Sequence, residues 1–377
     1  MSKLINKTFR VLSVITAVAL LLAYLAVWIS PVKIWILAFF GLAYPYILLV
    51  AVFLLFFWLL NRKTKEFVFM LVFIILGWGH LNRFFRVPVK PERQSKITTD
   101  SLRQIKVLSY NVRLFNLYEK KSDNMDNIIR FIHNEDADII CLQEIYTGSS
   151  RMTEKMLIQK IGLPYNRINY LISGNKPVYY GMAIFSRFPI IGSGTIKYPD
   201  TYNTTMFCDV LAGKDTLRIF NNHLQSTRLK KTNYFLFSGS NQSESLKEIL
   251  DISERLKDAF IKRAGQAEIL HKKITESPYR VIVCGDFNDT PVSYTYHKIT
   301  TGLKDAFLYN GKWLGKTYAG LLPSFRIDYI IIDRTLQPLD FRRYRNRYSD
   351  HFPVSCRILI SPAQKEGSPD QHFPPKE

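Results

Sequence analysis

Hydrophobic and polar positions divide this chain into two unlike parts. Residues 11–29 and 34–60 carry no charge at all, and a third apolar run covers 67–79. The first two reach or exceed the roughly 18 to 20 residues needed to cross about 30 Å of hydrocarbon, so membrane-spanning helices are expected at about 11–29 and 34–60. The third, extended to residue 81, is short enough to read either as a tight span or as a helix lying in the interface. A cleavable signal peptide would account for the first run but not for a longer one directly behind it. A buried soluble hairpin does not fit uncharged runs of this length. Pro45 lies within the second run and is expected to kink it without preventing insertion, because neighbouring helices satisfy the freed carbonyl.

From residue 104 the pattern changes. Short β-rich runs at 105–110, 137–141, 182–185, 217–221, 280–284, 327–332 and 353–360 alternate with amphipathic stretches at 122–134 and 253–274. The second of these places Leu256, Phe260, Ala264, Ala267 and Leu270 on one face. Strands interleaved with helices predict an α/β domain over about 104–360. Residues 82–103, with Pro88 and Pro91, read as a linker, and 361–377, rich in Pro and polar residues, as a disordered tail. The membrane anchor is then 1–81.

Charge separates the parts further. The 377 residues are 47% hydrophobic and hold 51 Lys+Arg against 31 Asp+Glu, a formal net charge of +20. The first 95 residues contribute 11 bases and two acids, so nearly half of the excess punctuates the apolar runs. Lys3, Lys7 and Arg10 precede the first run and Arg62, Lys63 and Lys65 follow the second; the positive-inside rule puts both groups in the cytoplasm. With a third crossing, the domain after it lies outside a bacterial-type inner membrane, although Arg83, Arg86, Lys90 and Arg93 load that flank with bases. So few spans, with no intramembrane charge, do not make a transporter. Cys141, Cys208, Cys284 and Cys356 each sit in or beside an apolar strand, as small core residues do. No CxxC or paired Cys/His spacing suggests a zinc cluster.

The expected strands lead into chemically useful side chains. Asn111 follows the first, Gln143 and Glu144 the second, Asn222 and His223 the fourth, and Asp286, Phe287 and Asn288 the fifth. Asp328 opens the sixth, and Ser349, Asp350 and His351 precede the last. Singly, each is an ordinary turn former or solvated charge. Together at strand ends they describe one rim, where ligands bind. Hard oxygen donors such as Glu144, Asp286, Asn288 and Asp350 suit Mg²⁺, Mn²⁺ or Ca²⁺. An Asp beside an Asn can hold an attacking water, His223 and His351 can neutralise charge building on a phosphoryl group, and Asp328 can fix one imidazole.

The ordered series SYNVR (109–113), LQE (142–144), GMAIFSR (181–187), NNHL (221–224), GDFN (285–288), RIDYI (326–330) and SDH (349–351) resembles the endonuclease/exonuclease/phosphatase superfamily, the deoxyribonuclease I-like proteins. The resemblance spans essentially all of 104–360. It implies a four-layer α/β sandwich, two mostly antiparallel sheets face to face with helices outside. It also implies roles: Glu144 as the main metal ligand, Asn111 on the metal or the phosphate, and Asp286 aligning the attacking water with Asn288 assisting. His223 would bind the scissile phosphate, Asp350 and His351 would complete the site, and Asp328 would orient His351. Arg113 is a further phosphate contact or a solvated loop base, and Tyr180 opens a strand near the site.

One departure is an insert at 225–262, with Arg228, Lys230, Lys231, Tyr234, Phe235 and Phe237, which reads as a substrate lid, a foot in the bilayer interface or variable decoration. The expected activity is metal-assisted hydrolysis of a phosphoester near the membrane, on a lipid or a nucleotide derivative. A membrane-tethered nuclease is the alternative, consistent with the remaining basic charge, although no Lys/Arg track interleaved with aromatics marks a nucleic-acid path. A silent receptor or scaffold on the same fold is disfavoured because every expected catalytic position is filled.

Overall fold

The computed structural model describes residues 3–87, 103–116, 124–173, 176–227, 242–320 and 326–360. The core of the expected linker, the expected tail, and the insert residues Arg228, Lys230, Lys231, Tyr234, Phe235 and Phe237 lie outside the described residues.

The N-terminal part is a bundle of α1 (Lys3–Leu25), α2 (Ile36–Leu60), α3 (Thr64–Leu76) and α4 (Trp78–Phe84). Two of these helices, α1 and α2, are long and apolar enough to cross a membrane. The third apolar run is not one helix: α3 and α4 meet at a 62° bend. The break falls on Gly77, where a Cβ would lie 2.1 Å from the Tyr24 hydroxyl oxygen, and that hydroxyl donates to the Phe73 carbonyl at 2.9 Å. A side chain lodged at a glycine is a recognised cause of such kinks. Helix α2 continues through Pro45. At one end of the bundle Arg10 pairs with Glu66 at 2.6 Å; at the other, Tyr24 stacks on His80.

After α4 the chain forms a short strand, β1 (Phe85–Arg86), and then two six-stranded sheets. The first contains β2 (Arg103–Asn111), β3 (Ile139–Tyr146), β4 (Tyr165–Ser173), β5 (Lys176–Ser186), β13 (Gln337–Arg343) and β14 (Val354–Ile360), in the order β13-β14-β2-β3-β5-β4. The second contains β6 (Ile190–Lys197), β7 (Thr204–Ala212), β8 (Asp215–His223), β9 (Arg280–Asp286), β10 (Leu303–Asp305) and β12 (Asp328–Asp333), in the order β10-β12-β9-β8-β7-β6. A further short strand, β11 (Trp313–Leu314), pairs with β1.

Strand alternation builds the layers. Ile282 and Cys284 of β9 face the other sheet beside Ile105, Val107, Cys141 and Ile330, while Val281 and Val283 face outward onto Ala267, Leu270 and Ile274 of α7 (Gln242–Thr275). On the opposite side, Ile128 and Ile132 of α5 (Asn124–Glu135) and Leu157 of α6 (Glu154–Ile161) cover Leu108, Ile140 and Phe185. Strands buried on both faces read as unbroken apolar runs, which is why RVIVC and DYIIID carry no polar alternation. The result is the helix–sheet–sheet–helix sandwich that the resemblance implies.

Two boundaries differ from expectation. Helix α7 begins at Gln242, eleven residues before the expected start, so part of the presumed insert is helix. Residues 82–86 belong to α4 and β1 rather than to a free tether.

Each sheet has one parallel pair, β2 with β3 and β8 with β9, and every other pairing in the two sheets is antiparallel. A parallel pair needs a crossover, supplied by α5 in one sheet and α7 in the other. Parallel strands also end on the same side. Asn111, Glu144, His223 and Asp286 are therefore gathered at one rim, within the ends of their strands rather than in the loops after them.

Candidate active site

Local backbone features aim these side chains. The β3–β5 register shifts between Leu142 and Ile145, and within that irregularity Glu144 has a φ of 52°. A bulge with a left-handed residue redirects one side chain out of the sheet's alternation. In β9, Gly285 has a φ of +124°, and a Cβ there would lie 2.1 Å from the Asn222 carbonyl oxygen. Only glycine lets β8 and β9 close to this distance immediately before Asp286. The register then aligns His223, Asp286 and Asp328 in one row across β8, β9 and β12.

The two sheets meet chemically at Asn111. Its Nδ2 donates to Glu144 Oε1 at 3.2 Å and to Asp286 Oδ2 at 3.1 Å, while its Oδ1 accepts from the Arg113 backbone N–H at 3.0 Å. In this arrangement Asn111 turns an amide donor, not an oxygen, toward the carboxylates. Asp286 also accepts from the Asn288 backbone N–H at 2.8 Å and from Asn288 Nδ2 at 3.1 Å, and Asn288, like Glu144, is left-handed with a φ of 53°. Strained backbone of this kind clusters at functional sites.

His351 Nδ1 lies 2.9 and 3.1 Å from the two oxygens of Asp328, and its Nε2 lies 3.7 Å from Asp286 Oδ2. His223 Nε2 lies 3.3 Å from Glu144 Oε1 without the alignment a hydrogen bond needs, which leaves it buried and without a hydrogen-bond partner. Asp350 stands apart from the row: Arg113 Nε approaches its carboxylate at 3.4 Å. Tyr180 pairs with Tyr146 in the β3–β5 ladder.

Several residues support the rim without touching a reacting group; of these the sequence offers Gln143 and Ser349 but not Asn221, Thr317, Arg263 or Asp289. Gln143 Nε2 donates to Asn221 Oδ1 at 2.6 Å, and Asn221 Nδ2 donates to the Leu142 and Ala183 carbonyls, so a buried amide pair ties the sheets together under the rim. Ser349 Oγ donates to the Asn111 carbonyl and accepts from the His351 N–H. Thr317 Oγ1 accepts the N–H groups of both Ile327 and Asp328. Buried Arg263 pairs with Asp289, just past GDFN, at 3.1 Å. Gln143, Asn221, Asp289 and Ser349 are signalled only by their position inside or next to the motifs, and Thr317 and Arg263 carry no such signal.

Electrostatics separate the acids. Burial alone would raise Glu144, but His223, His351 and Asn111 outweigh it and hold its carboxyl down at about 2. Burial dominates at Asp286, with Asp328 adding to it against the pull of His351 and His223, and pushes its carboxyl up to about 6. Burial also disfavours charged imidazoles, yet Glu144 keeps His223 above its ordinary value and Asp328 with Asp286 keeps His351 well above its own. Two carboxyls pushed apart by environment are a signature of divided acid–base labour.

The donor set suits a hard divalent cation. Asp286, Asp328 and His351 bring one potential ligand atom each within 4.8 Å of one another. Ionised Glu144 shares the Asn111 amide with Asp286, and His223 Nε2 lies 3.3 Å from Glu144 Oε1.

Comparison with known proteins bears on this arrangement. Residues 6–84 match a family described as a domain of unknown function (DUF8431). No curated protein sequence matches the chain. Among solved structures, it is similar to truncated TDP2 from Caenorhabditis elegans, at 18% identity and a TM-score of 0.48, over 68% of this chain and 98% of that one. It is also similar to the human Nocturnin catalytic domain, at 18% identity and 0.49, over 68% and 94%. An endonuclease/exonuclease/phosphatase family protein from Bacteroides thetaiotaomicron is similar at 18% identity and 0.47, over 69% and 99%. Residues 108–351 match the Endonuclease/Exonuclease/phosphatase family, from the strand that ends in Asn111 through to His351. That stretch covers well over half of the chain and holds every residue of the rim, and the protein belongs to this family of phosphoester hydrolases.

Proposed function

We propose that this protein is a membrane-anchored, divalent-metal-dependent phosphoester hydrolase, a phosphodiesterase or phosphatase in which water attacks phosphorus. The observation that carries the reading is the row His223–Asp286–Asp328, with His351 on Asp328 and Glu144 facing His223 from the other sheet. In this reading Asp286, its carboxyl pushed up to about 6, acts as the base beside two imidazoles whose charged forms Glu144 and Asp328 favour.

Asp286 receives three hydrogen bonds, from Asn111 and from Asn288. They fix its carboxylate to orient a water molecule and take its proton as the new O–P bond forms. The P–O ester bond breaks in the same displacement, and the leaving oxygen takes up a proton. His351, held by Asp328, and His223, whose charged form Glu144 favours, donate to the non-bridging oxygens, where negative charge accumulates in the transition state. Glu144 would hold Mg²⁺, Mn²⁺ or Ca²⁺, with Asp286 the second carboxylate within reach. Asn111 and Asp350 are the further ligands that the family resemblance implies. Such an ion, when bound, withdraws charge from the phosphoryl oxygens. Arg113, at the lip beside Asp350, is positioned to meet a substrate phosphate.

For the anchor, we read α1, α2 and the bent α3–α4 pair as three crossings with the N-terminus in the cytoplasm. The basic residues around 3–10 and 62–65 support that orientation. The catalytic domain is then extracytoplasmic.

The test is hydrolysis of bis-p-nitrophenyl phosphate with Mg²⁺ or Mn²⁺ by the full chain in nanodiscs. Asp286→Ala and His351→Ala are expected to lose about a hundredfold or more each. Full activity in either variant overturns the assignment.

A further inference from the structure

The anchor does more than tether the domain, because it is docked against the same segments that carry the catalytic residues. A Cβ on Gly41 of α2 would lie 2.3 Å from the Val292 carbonyl oxygen, so the helix backbone and the loop after GDFN are in direct contact. Arg326 Nη2 donates to the Arg83 carbonyl at 3.0 Å, the Gly315 N–H donates to the Phe84 carbonyl, and β1 pairs with β11. Trp28, between α1 and α2, packs edge-on against His297 with ring centroids 4.3 Å apart.

These contacts are close to the chemistry along the chain. Val292 is four residues past Asn288 and Arg326 is two before Asp328. At about 3.8 Å per residue, the site backbone lies within about 15 Å of one contact and about 8 Å of the other. The strand leaving β11 runs on to His351: Tyr318 bridges His351, and the Ala319 N–H donates to the Asp350 carbonyl at 2.7 Å.

On the three-crossing reading, the same contacts fall near headgroup depth. Helix α2, with 25 residues, is about 37 Å long, about 7 Å more than the roughly 30 Å hydrocarbon layer, so its first turn reaches the polar zone and Gly41, in the second, lies directly beneath it. Trp28 and Trp78 are 67% and 59% exposed, and Trp313 of β11, against Phe85, is 56% exposed. Tryptophan is the residue enriched where protein meets the membrane–water interface.

We infer that the anchor is a platform that holds the catalytic rim at the bilayer surface, and that the substrate is a phospholipid embedded in that same bilayer. This rests on the hydrolase reading above and narrows it. A site within about 15 Å of headgroup depth meets lipid phosphate at the concentration of the membrane itself, whereas a soluble ester or nucleic acid gains nothing from the docking.

The experiment uses the full chain in nanodiscs of phosphatidylglycerol, phosphatidylethanolamine and phosphatidic acid. Head-group or phosphate release is compared with turnover of the deacylated counterparts, plasmid DNA and bis-p-nitrophenyl phosphate. Bilayer lipid is expected to turn over at least about tenfold faster than its deacylated form. Gly41→Leu, which forces the docked loop away, is expected to lower lipid turnover about tenfold and leave bis-p-nitrophenyl phosphate within about twofold. Trp28→Ala serves as an independent variant should Gly41→Leu fail to insert. Preference for DNA or for deacylated esters, or lipid turnover unmoved by a folded docking variant, overturns the inference and leaves the hydrolase reading standing. No turnover of any substrate, bis-p-nitrophenyl phosphate included, removes both.

Discussion

Asp328→Asn isolates one interaction in the catalytic row. The carboxylate is buried against His351 Nδ1 at 2.9 and 3.1 Å, and its backbone is held independently, because Thr317 Oγ1 takes the N–H groups of residues 327 and 328. Asparagine keeps the shape and removes the charge. A hydrogen bond to a charged group contributes about 1.5 to 3 kcal/mol, which at about 1.4 kcal/mol per factor of ten corresponds to roughly a ten- to 150-fold loss in kcat. The loss is not complete, since Asp286 still faces Nε2 at 3.7 Å. The sign of the pH effect also follows. Asp328 is the largest of the influences that raise His351, so in the variant the charged imidazole is lost at lower pH and the alkaline limb of the rate profile moves down. The assay is kcat and KM for bis-p-nitrophenyl phosphate between pH 5 and 9 with Mg²⁺, using the full chain in nanodiscs. A kcat within about threefold of the parent protein with an unmoved alkaline limb would falsify the role given to this pair.

Other consequences are as direct. Because the Asp286 carboxyl sits at about 6, kcat/KM is expected to rise with pH through that region as the base ionises; a flat profile from pH 5 to 7 contradicts the assignment. Glu144, held at about 2 against an ordinary 4.5, contributes stability above pH 4.5 that is lost as pH falls toward 2, at most about 3 kcal/mol. In metal-free protein, the stability difference between wild type and Glu144→Gln should therefore shrink over that interval, as followed by denaturant unfolding. Gly285→Ala puts a Cβ 2.1 Å from the Asn222 carbonyl oxygen at a φ of +124° and should cost about 2 kcal/mol or more, visible as a lowered thermal midpoint. Arg326→Met strands Asp305, which is 3% exposed, at a cost of about 3 to 5 kcal/mol; Asp305→Asn in the same chain should recover part of it, and absence of recovery argues against the ion pair as the cause.

Strand recognition from the sequence depended on burial. Strands β2, β9, β12 and β14 are buried on both faces and read as apolar runs, so their places were plain. Edge strand β6, IIGSGTIK, contains two glycines and is largely solvent-facing, and β4, β7, β10 and β13 likewise lacked a distinctive run. The start of α7 was hidden because the residues from 242 onward are mostly polar, and a long helix that packs on the sheet only through its later turns shows amphipathic spacing only there. The third apolar run looked like one segment because composition does not register the Tyr24 hydroxyl lodged at Gly77.

The sequence by itself determined two things. Uncharged runs at 11–29 and 34–60 mark two helices long and apolar enough to cross a membrane. Acid, amide and imidazole residues at successive strand ends mark a phosphoester-type site, since their identity and order belong to the chain. Only the tertiary structure decided how these residues meet. Two parallel pairs in facing sheets bring Asn111 and Glu144 to Asp286 and His223, and the β8–β9–β12 register sets a row that no linear spacing contains. The structure alone also decided that Gly41 lies against Val292, in the loop after Asn288, and that Arg83 and Phe84 meet Arg326 and Gly315 on the way to Asp328, because such contacts join residues hundreds of positions apart through packing, and packing leaves no periodic trace in a sequence.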